Sequence, residues 1–288
     1  GKLPLNAPFR QQLALFKFRR LNLGDKYDFY IIAGDWAMSA SVNNKPNLWY
    51  VHSPIREIWD LYKYIRNNLL NLWIKRFVFD LWVKLNRHLN TKYIKHVQKI
   101  ACNSKNTQGR VKRYLKRDSI VINPPIDTSK FQHKKSKGYW LSVNRLYYHK
   151  RVDLQVNAFS KLPNEKLIIV GCYEKAKHFE EYAEKIMKIK PKNVEILKEI
   201  TETELAKLYS NCKGFITTAM NEDFGMTVVE AMASGKPVIA PNEGGYKETV
   251  INNKTGMLID NINEDKIIEA IKKINKELKN NPNKYKTA

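Results

Sequence analysis

Asn221 to Val250 reads NEDFGMTVVEAMASGKPVIAPNEGGYKETV, and this stretch decides the fold. It opens at a strand end, passes through a tight loop and enters a short helix whose apolar positions run through Val228, Val229, Ala231 and Met232. Thr227 suits the N-cap, Gly235 suits the residue just past the helix end, and Pro237 opens a further strand, Val238 to Ala240. Gly225 then lies where a helix start leaves amide N–H groups unpaired, and a residue without a side chain lets an anion approach them. Glu222 and Glu230 stand eight positions apart across this turn. Two plainer readings accompany that one: Thr227-Val-Val-Glu230 fits a capping box, and Glu222 taken alone is an ordinary solvated loop carboxylate.

Working outward, short apolar runs alternate with helical patterns. Strands are expected at Tyr139 to Val143, Lys166 to Val170, Val194 to Leu197, Gly214 to Thr217 and Met257 to Ile259. Helices are expected at Val152 to Lys161, Ala176 to Ile189, Glu202 to Ser210, near Tyr246 to Ile251, and from Glu264 onward. This alternation means βαβ units and a parallel, Rossmann-like sheet, although no G-x-G-x-x-G is present. At the end of its first strand, SVNRLYYHKRVD carries Arg145 and Lys150, a bidentate fork and a point charge suited to phosphate, or else two solvated surface cations.

Upstream, residues 28 to 33 and Asn47 to Val51 read as buried parallel strands, the second delivering His52 at its carboxyl end. Glu57 to Ile100 is helical, rich in Trp59, Trp73, Phe77, Phe79 and Trp82, and has two readings, helices packed on the sheet or an interfacial membrane patch, of which the aromatics favour the first and the Lys/Arg face the second. Lys99 to Asn103, a basic helix Gln108 to Lys116 and Ser119 to Asn123 follow, before Pro124 and Pro125 stop regular structure. The expected organisation is a Rossmann-like domain over residues 1–123, a linker over 124–137 and a second Rossmann-like domain over 138–288.

The opening stretch resembles a family signature: an acidic residue, seven intervening residues and a second Glu, with Phe-Gly after the first and Glu-Ala-Met-Ala-Ser-Gly-Lys-Pro-Val-Ile-Ala following. It is similar to the retaining GT-B glycosyltransferases of glycosyltransferase family 4, the glycogen-synthase-like type. The resemblance implies an α/β fold of two Rossmann-like domains whose parallel sheets face each other across a cleft. It further implies transfer of a hexose, of mannose or glucose type, from a nucleotide-diphosphate sugar to a glycan or lipid-linked acceptor with retention of configuration. Carried over by position, Glu222 meets the donor sugar, Glu230 holds the ribose, and the amides of Phe224, Gly225, Met226 and Thr227 meet sugar hydroxyls and phosphate. Arg145 and Lys150 bind the diphosphate, with Asn144 standing where the family usually has Gly. YVHSPIREIWD resembles a segment of the mannosyltransferase-like branch in which the residue matching His52 faces the sugar; on its own, a lone His is an ordinary structural residue. Asn123-Pro-Pro-Ile-Asp127 is similar to the family's interdomain hinge, and the first domain would be the acceptor side. The family's opening strand with its Gly-containing loop and its closing crossover helix are not recognisable, so the chain is expected to be a fragment lacking both ends.

Composition limits the partners. The chain has 288 residues, 43% of them apolar, enough for two cores. Cys102, Cys172 and Cys212 are odd in number and far apart, which suits a reducing compartment better than a disulfide framework or zinc site. No run of eighteen apolar residues and no signal-like start occur, so a cytoplasmic location is expected, with peripheral attachment to the cytoplasmic face of a membrane. The formal charge of +23 is concentrated ahead of residue 127, most densely from Arg56 to Arg117. That balance suits phosphate-bearing ligands, an anionic membrane surface or nucleic acid, of which the first two are expected here and nucleic acid is not. The sequence has no D-x-D or ligand cluster, so neither metal nor cofactor is expected. The competing classes are a glycoside hydrolase, a GT-B-like sugar-nucleotide epimerase and a basic nucleic-acid-binding protein.

Overall fold

In the computed structural model, which describes residues 7–24, 26–171 and 177–286, the chain divides into two units, Gly1–Asn123 and Pro124–Ala288. Helix α1, Ala7–Arg20, precedes strand β1, Tyr30–Ala33, whose apolar run ends at Gly34 with φ 95°. A 3-10 segment, Trp36–Val42, capped by the Asp35 carboxylate, leads to β2, Asn47–Val51. Then come α2, Tyr62–Asn68, α3, Trp73–Tyr93, β3, Lys99–Cys102, α4, Lys105–Arg110, and β4, Ile120–Val121. The four strands form one parallel sheet in the order β1-β2-β3-β4. Trp49, Val51, Ile100 and Cys102 pack with Met38 and Val111 in its core.

The aromatics of the Glu57 to Ile100 segment divide in a way that the expectation of uniform packing missed. Phe79 and Trp82 turn inward with Ile55 and Ile58, and Trp59 stacks on Tyr114 at 5.1 Å. Trp73 and Phe77, nearer the start of α3, are exposed. The basic residues divide too, since Arg87 lies over the Trp59 and Tyr62 rings and donates to the Ile58 carbonyl at 2.8 Å. The basic helix begins earlier than expected because Ser104 caps it, accepting from the Thr107 amide at 3.0 Å.

Residues 124–137, read from sequence as a linker, lie on the second unit. Phe131 packs edge-on to Tyr209 at 5.7 Å, and the Lys134 and Lys137 amides donate to the carbonyls of Ser210 and Asn211. Next come β5, Tyr139–Val143, α5, Val152–Ser160, β6, Lys166–Val170, and α6, Lys177–Ile189; the expected start of α6 at Ala176 lies outside the described residues, as does Cys172. They are followed by β7, Val194–Leu197, α7, Glu202–Asn211, β8, Gly214–Ile216, α8, Met226–Ala233, and β9, Val238–Pro241. The unit closes with α9, Tyr246–Thr249, β10, Gly256–Ile259, and α10, Glu264–Asn280.

The second sheet is all parallel, in the order β10-β9-β8-β5-β6-β7. β5 is buried on both faces: Trp140 packs with Val156, Ile186 and Ile271, while Tyr139 and Leu141 pack with Tyr209, Val228 and Tyr246. Strands buried on both sides read as continuous apolar runs, which is why their bounds follow from sequence. Strand order reverses between β5 and β8, so the loops leaving these two neighbours diverge to opposite sides and open a crevice at their carboxyl ends. Cys102 and Cys212 are buried and unbridged, and burial pushes the Cys212 thiol up to about 12.

Candidate functional site

The two loops at this switch point carry the residues singled out from sequence. After β5, the Asn144 amide continues the ladder to the Val170 carbonyl at 3.0 Å, and its side chain donates to Ser142 Oγ at 2.7 Å. Asn144 thus turns its side chain back into the sheet, and its carbonyl lies 2.6 Å from where a Cβ on Gly171 would stand. Arg145 is exposed, with its guanidinium 5.9 Å from the Tyr147 ring centre. The 3-10 turn Tyr148–Lys150 then leads to Arg151, left-handed at φ 50°, which enters α5. That strained residue is held from several sides: Arg151 Nε donates to the Thr218 carbonyl at 2.6 Å, its guanidinium pairs with Glu243, and Thr218 Oγ1 donates to the carbonyls of Lys150 and Arg151.

The loop after β8 is fixed as tightly. Gly244 and Gly245 lie against the backbone of residues 221–224: a Cβ on Gly244 would stand 2.5 Å from the Glu222 carbonyl, and one on Gly245 2.4 Å from that of Asp223. The Gly245 amide donates to the Glu222 carbonyl at 2.8 Å. Glu222 is thereby presented to Lys150, whose Nζ donates to Oε2 at 2.5 Å, with both side chains mostly covered. The carboxylate is therefore one half of a sheltered ion pair that joins residues 72 positions apart, not a solvated loop group.

Helix α8 begins at Met226, and its N-cap is Gly225 at φ 92°, not Thr227. The reason is steric: a Cβ at Gly225 would lie 2.7 Å from the buried Tyr246 ring, so the glycine serves the backbone turn and its Cα side faces protein rather than open space. Tyr246 is held by a 2.9 Å hydrogen bond with Thr217 Oγ1. Burial, and then the negative charge of Glu222, push its hydroxyl far above the ordinary range and keep it neutral. The amides of Val228 and Val229 turn back to the Gly225 carbonyl, and those of Met226 and Thr227 precede these first bonds of the helix, where the first amides of a helix have no intrahelical acceptor. At the other end Gly235, at φ 63°, donates to Met232 and Lys236 to Ala231, the left-handed stop expected there.

With Gly225 at the cap, Thr227 and Glu230 form no capping box. Glu230 instead lies beside buried Tyr209, whose hydroxyl is raised well above its ordinary value by burial first and by the Glu230 charge second. Sequence reasoning missed Arg151, Thr218, Glu243 and Tyr246. The signal for two of them was the Gly-Gly pair in NEGGY, since adjacent glycines mark a close backbone approach.

His52 belongs to the first unit. It is exposed after β2 with its ring edge-on to Tyr50 at 5.1 Å, and its carbonyl accepts from Asn103 Nδ2 and Thr107 Oγ1. Nearby, burial raises the Asp35 and Glu57 carboxyls above the ordinary range, and Arg56 and Arg110 both pair with Asp60.

Two parallel sheets, each flanked by helices, are the architecture of the GT-B fold, and comparison with known proteins places the chain in a family. Residues 125–288 match the family model described as glycosyl transferases group 1, and the chain belongs to that family. An uncharacterised glycosyltransferase of Methanocaldococcus jannaschii is 31% identical over 187 residues, covering 63% of this chain and 51% of the relative. The alpha-1,3/1,6-mannosyltransferase ALG2 of Dictyostelium discoideum is 28% identical over 284 residues, covering 82% of this chain and 64% of the relative. The chain thus spans less than two thirds of the length of these relatives. In fold it is similar to a sucrose-phosphate synthase of Thermosynechococcus elongatus, with a TM-score of 0.72 at 17% identity over 94% of this chain and 70% of that one. It is also similar to Anabaena HepE, solved in complex with UDP and glucose, with a TM-score of 0.68 at 17% identity over 99% of this chain and 76% of that one.

Proposed function

We propose that this chain is a retaining hexosyltransferase that takes mannose or glucose from a nucleotide-diphosphate sugar. The observation that carries the reading is the Lys150–Glu222 pair at the switch point of the second sheet, beside the start of α8. Cleaving the bond between the anomeric carbon and the diphosphate leaves negative charge on the departing oxygen. Arg145, Lys150 and the amides from Phe224 through Thr227 would stabilise it. Glu222 would receive the donor sugar, its pairing with Lys150 tying the sugar and phosphate contacts together, and Glu230 would hold the ribose. His52 would act on the sugar from the first unit. Charge neutralisation rests on cationic side chains, so the reaction would need no metal.

The ALG2 relatives support mannose as the sugar, and the neighbour solved with UDP and glucose supports a nucleotide donor. The acceptor would be a glycan or a lipid-linked glycan, presented at a cytoplasmic membrane face where the protein is peripheral. No helix among the described residues is long and apolar enough to cross a membrane. The test supplies nucleotide sugars with and without acceptor and follows nucleoside diphosphate. Release that depends on acceptor supports transfer; sugar interconversion without release would make the protein an epimerase.

A further inference from the structure

Helix α3 carries a face that the first unit leaves uncovered. Its inward side is anchored, with Val83, Asn86, Asn90 and Tyr93 buried and Phe79 and Trp82 stacked on one another at 5.9 Å. On the outward side Trp73 is 77% exposed, and Ile74, Phe77, Val78, Leu81 and Leu85 are each at least half exposed. Positions 73, 77, 81 and 85 fall four apart, with 74 and 78 alongside, so the six side chains form one contiguous stripe. A folded protein has no reason to leave such a stripe in water unless something covers it.

The charges around the stripe say what kind of surface that is. Exposed Lys75, Lys84, His88 and Lys92 border or continue it. From Leu61 to Arg117 the only acidic residue is Asp80, and its carboxylate is taken by Tyr62 at 2.8 Å and Arg66 at 2.9 Å. A second copy of the chain would bring the same cations against one another, which opposes self-association. An anionic bilayer satisfies both features at once, since its acyl boundary accepts Trp, Phe and Leu and its headgroups accept Lys. At 21 residues with its opposite face anchored in protein, α3 would lie in the membrane plane rather than cross it.

We propose that the Trp73–Leu85 face of α3 inserts into the headgroup boundary of an anionic lipid bilayer. The inference rests on the membrane-presented acceptor proposed above and names the surface that reaches it. Vesicles of phosphatidylcholine alone and of phosphatidylcholine with phosphatidylglycerol are co-sedimented with the protein at low and high salt. The wild type is compared with a W73S/F77S/L81S triple variant and a K75Q/K84Q/K92Q triple variant, all checked for retained helicity by circular dichroism. The six substituted side chains are exposed, so both variants are expected to fold.

The wild type is expected to bind the anionic vesicles with a blue shift of its tryptophan emission. The serine variant is expected to bind at least about tenfold more weakly and without that shift. The glutamine variant is expected to lose most binding to anionic lipid while keeping the blue shift at high lipid concentration. If the serine variant bound as the wild type does, charge alone would dock the protein and insertion would be overturned, with the membrane reading intact. If the wild type bound no vesicle, or self-associated until the serine variant made it monomeric, a bilayer would be the wrong occupant. Acceptor-dependent release on a soluble acceptor would still leave the transferase reading standing in either case.

Discussion

Glu222 and Gly225 show how much one residue's surroundings change its meaning. As a letter in a loop, Glu222 is an exposed carboxylate; in the fold it is the partner of Lys150 at 2.5 Å, mostly covered. Glu222→Gln keeps an amide oxygen for Lys150, so we expect a stability change within about 1 kcal/mol by thermal denaturation. The same substitution should slow transfer by on the order of a hundredfold or more, as loss of a preorganised polar contact to reacting atoms does. Gly225 was legible as a helix start, but its cause was not. Whether a glycine is kept for a ligand's approach or for a neighbour's ring depends on Tyr246, 21 residues on, which no local pattern reports. Gly225→Ala meets both the positive φ and the Tyr246 ring, and should destabilise the second unit by about 1 to 3 kcal/mol, read as a lower Tm.

Among elements, the buried parallel strands β5 and β6 were legible to the residue, because a strand covered on both faces is a nearly continuous apolar run; the edge strand β7, VEIL, was legible from its alternation, with Glu195 exposed between Val194 and Ile196. Helix starts were less legible. Thr227 has the chemistry of a cap, yet α8 is capped two residues earlier because Gly225 alone can adopt the left-handed turn against Tyr246. On α3, the split between inward Phe79 and Trp82 and outward Trp73 and Phe77 escaped notice because a segment rich in aromatics has no single apolar face to read. The α8 geometry also changes what Glu230 should do. It has no capping partner in Thr227, so Glu230→Ala should not cost the roughly 0.5 to 2 kcal/mol of stability of a lost cap, and its effect should fall on donor binding. A clear loss of stability with donor affinity intact would make Glu230 a structural partner of Tyr209 only.

At the scale of the whole molecule, each of the two units carries a prediction of its own. In the first, burial raises Glu57, with Asp35 and Asp60 adding negative charge nearby and Arg56 opposing them. A carboxyl raised on folding binds more protons in the native state than in the unfolded chain. Its penalty is therefore absent below the ordinary carboxylate range and grows as pH rises through the raised value. Glu57→Gln should raise the first unit's Tm at neutral pH and leave it unchanged in acid, and an equal gain at both would assign the effect to packing. The second unit carries the central claim, that the crevice between the β5 and β8 loops holds a nucleoside diphosphate. Titration calorimetry of UDP and GDP, and of uridine and guanosine, against wild type, Arg145→Ala and Lys150→Ala tests it directly. Each substitution should cost about 1.5 to 3 kcal/mol of diphosphate affinity while the affinity for the bare nucleoside stays unchanged. Equal losses for nucleoside and nucleotide, or no loss for either, would contradict the account.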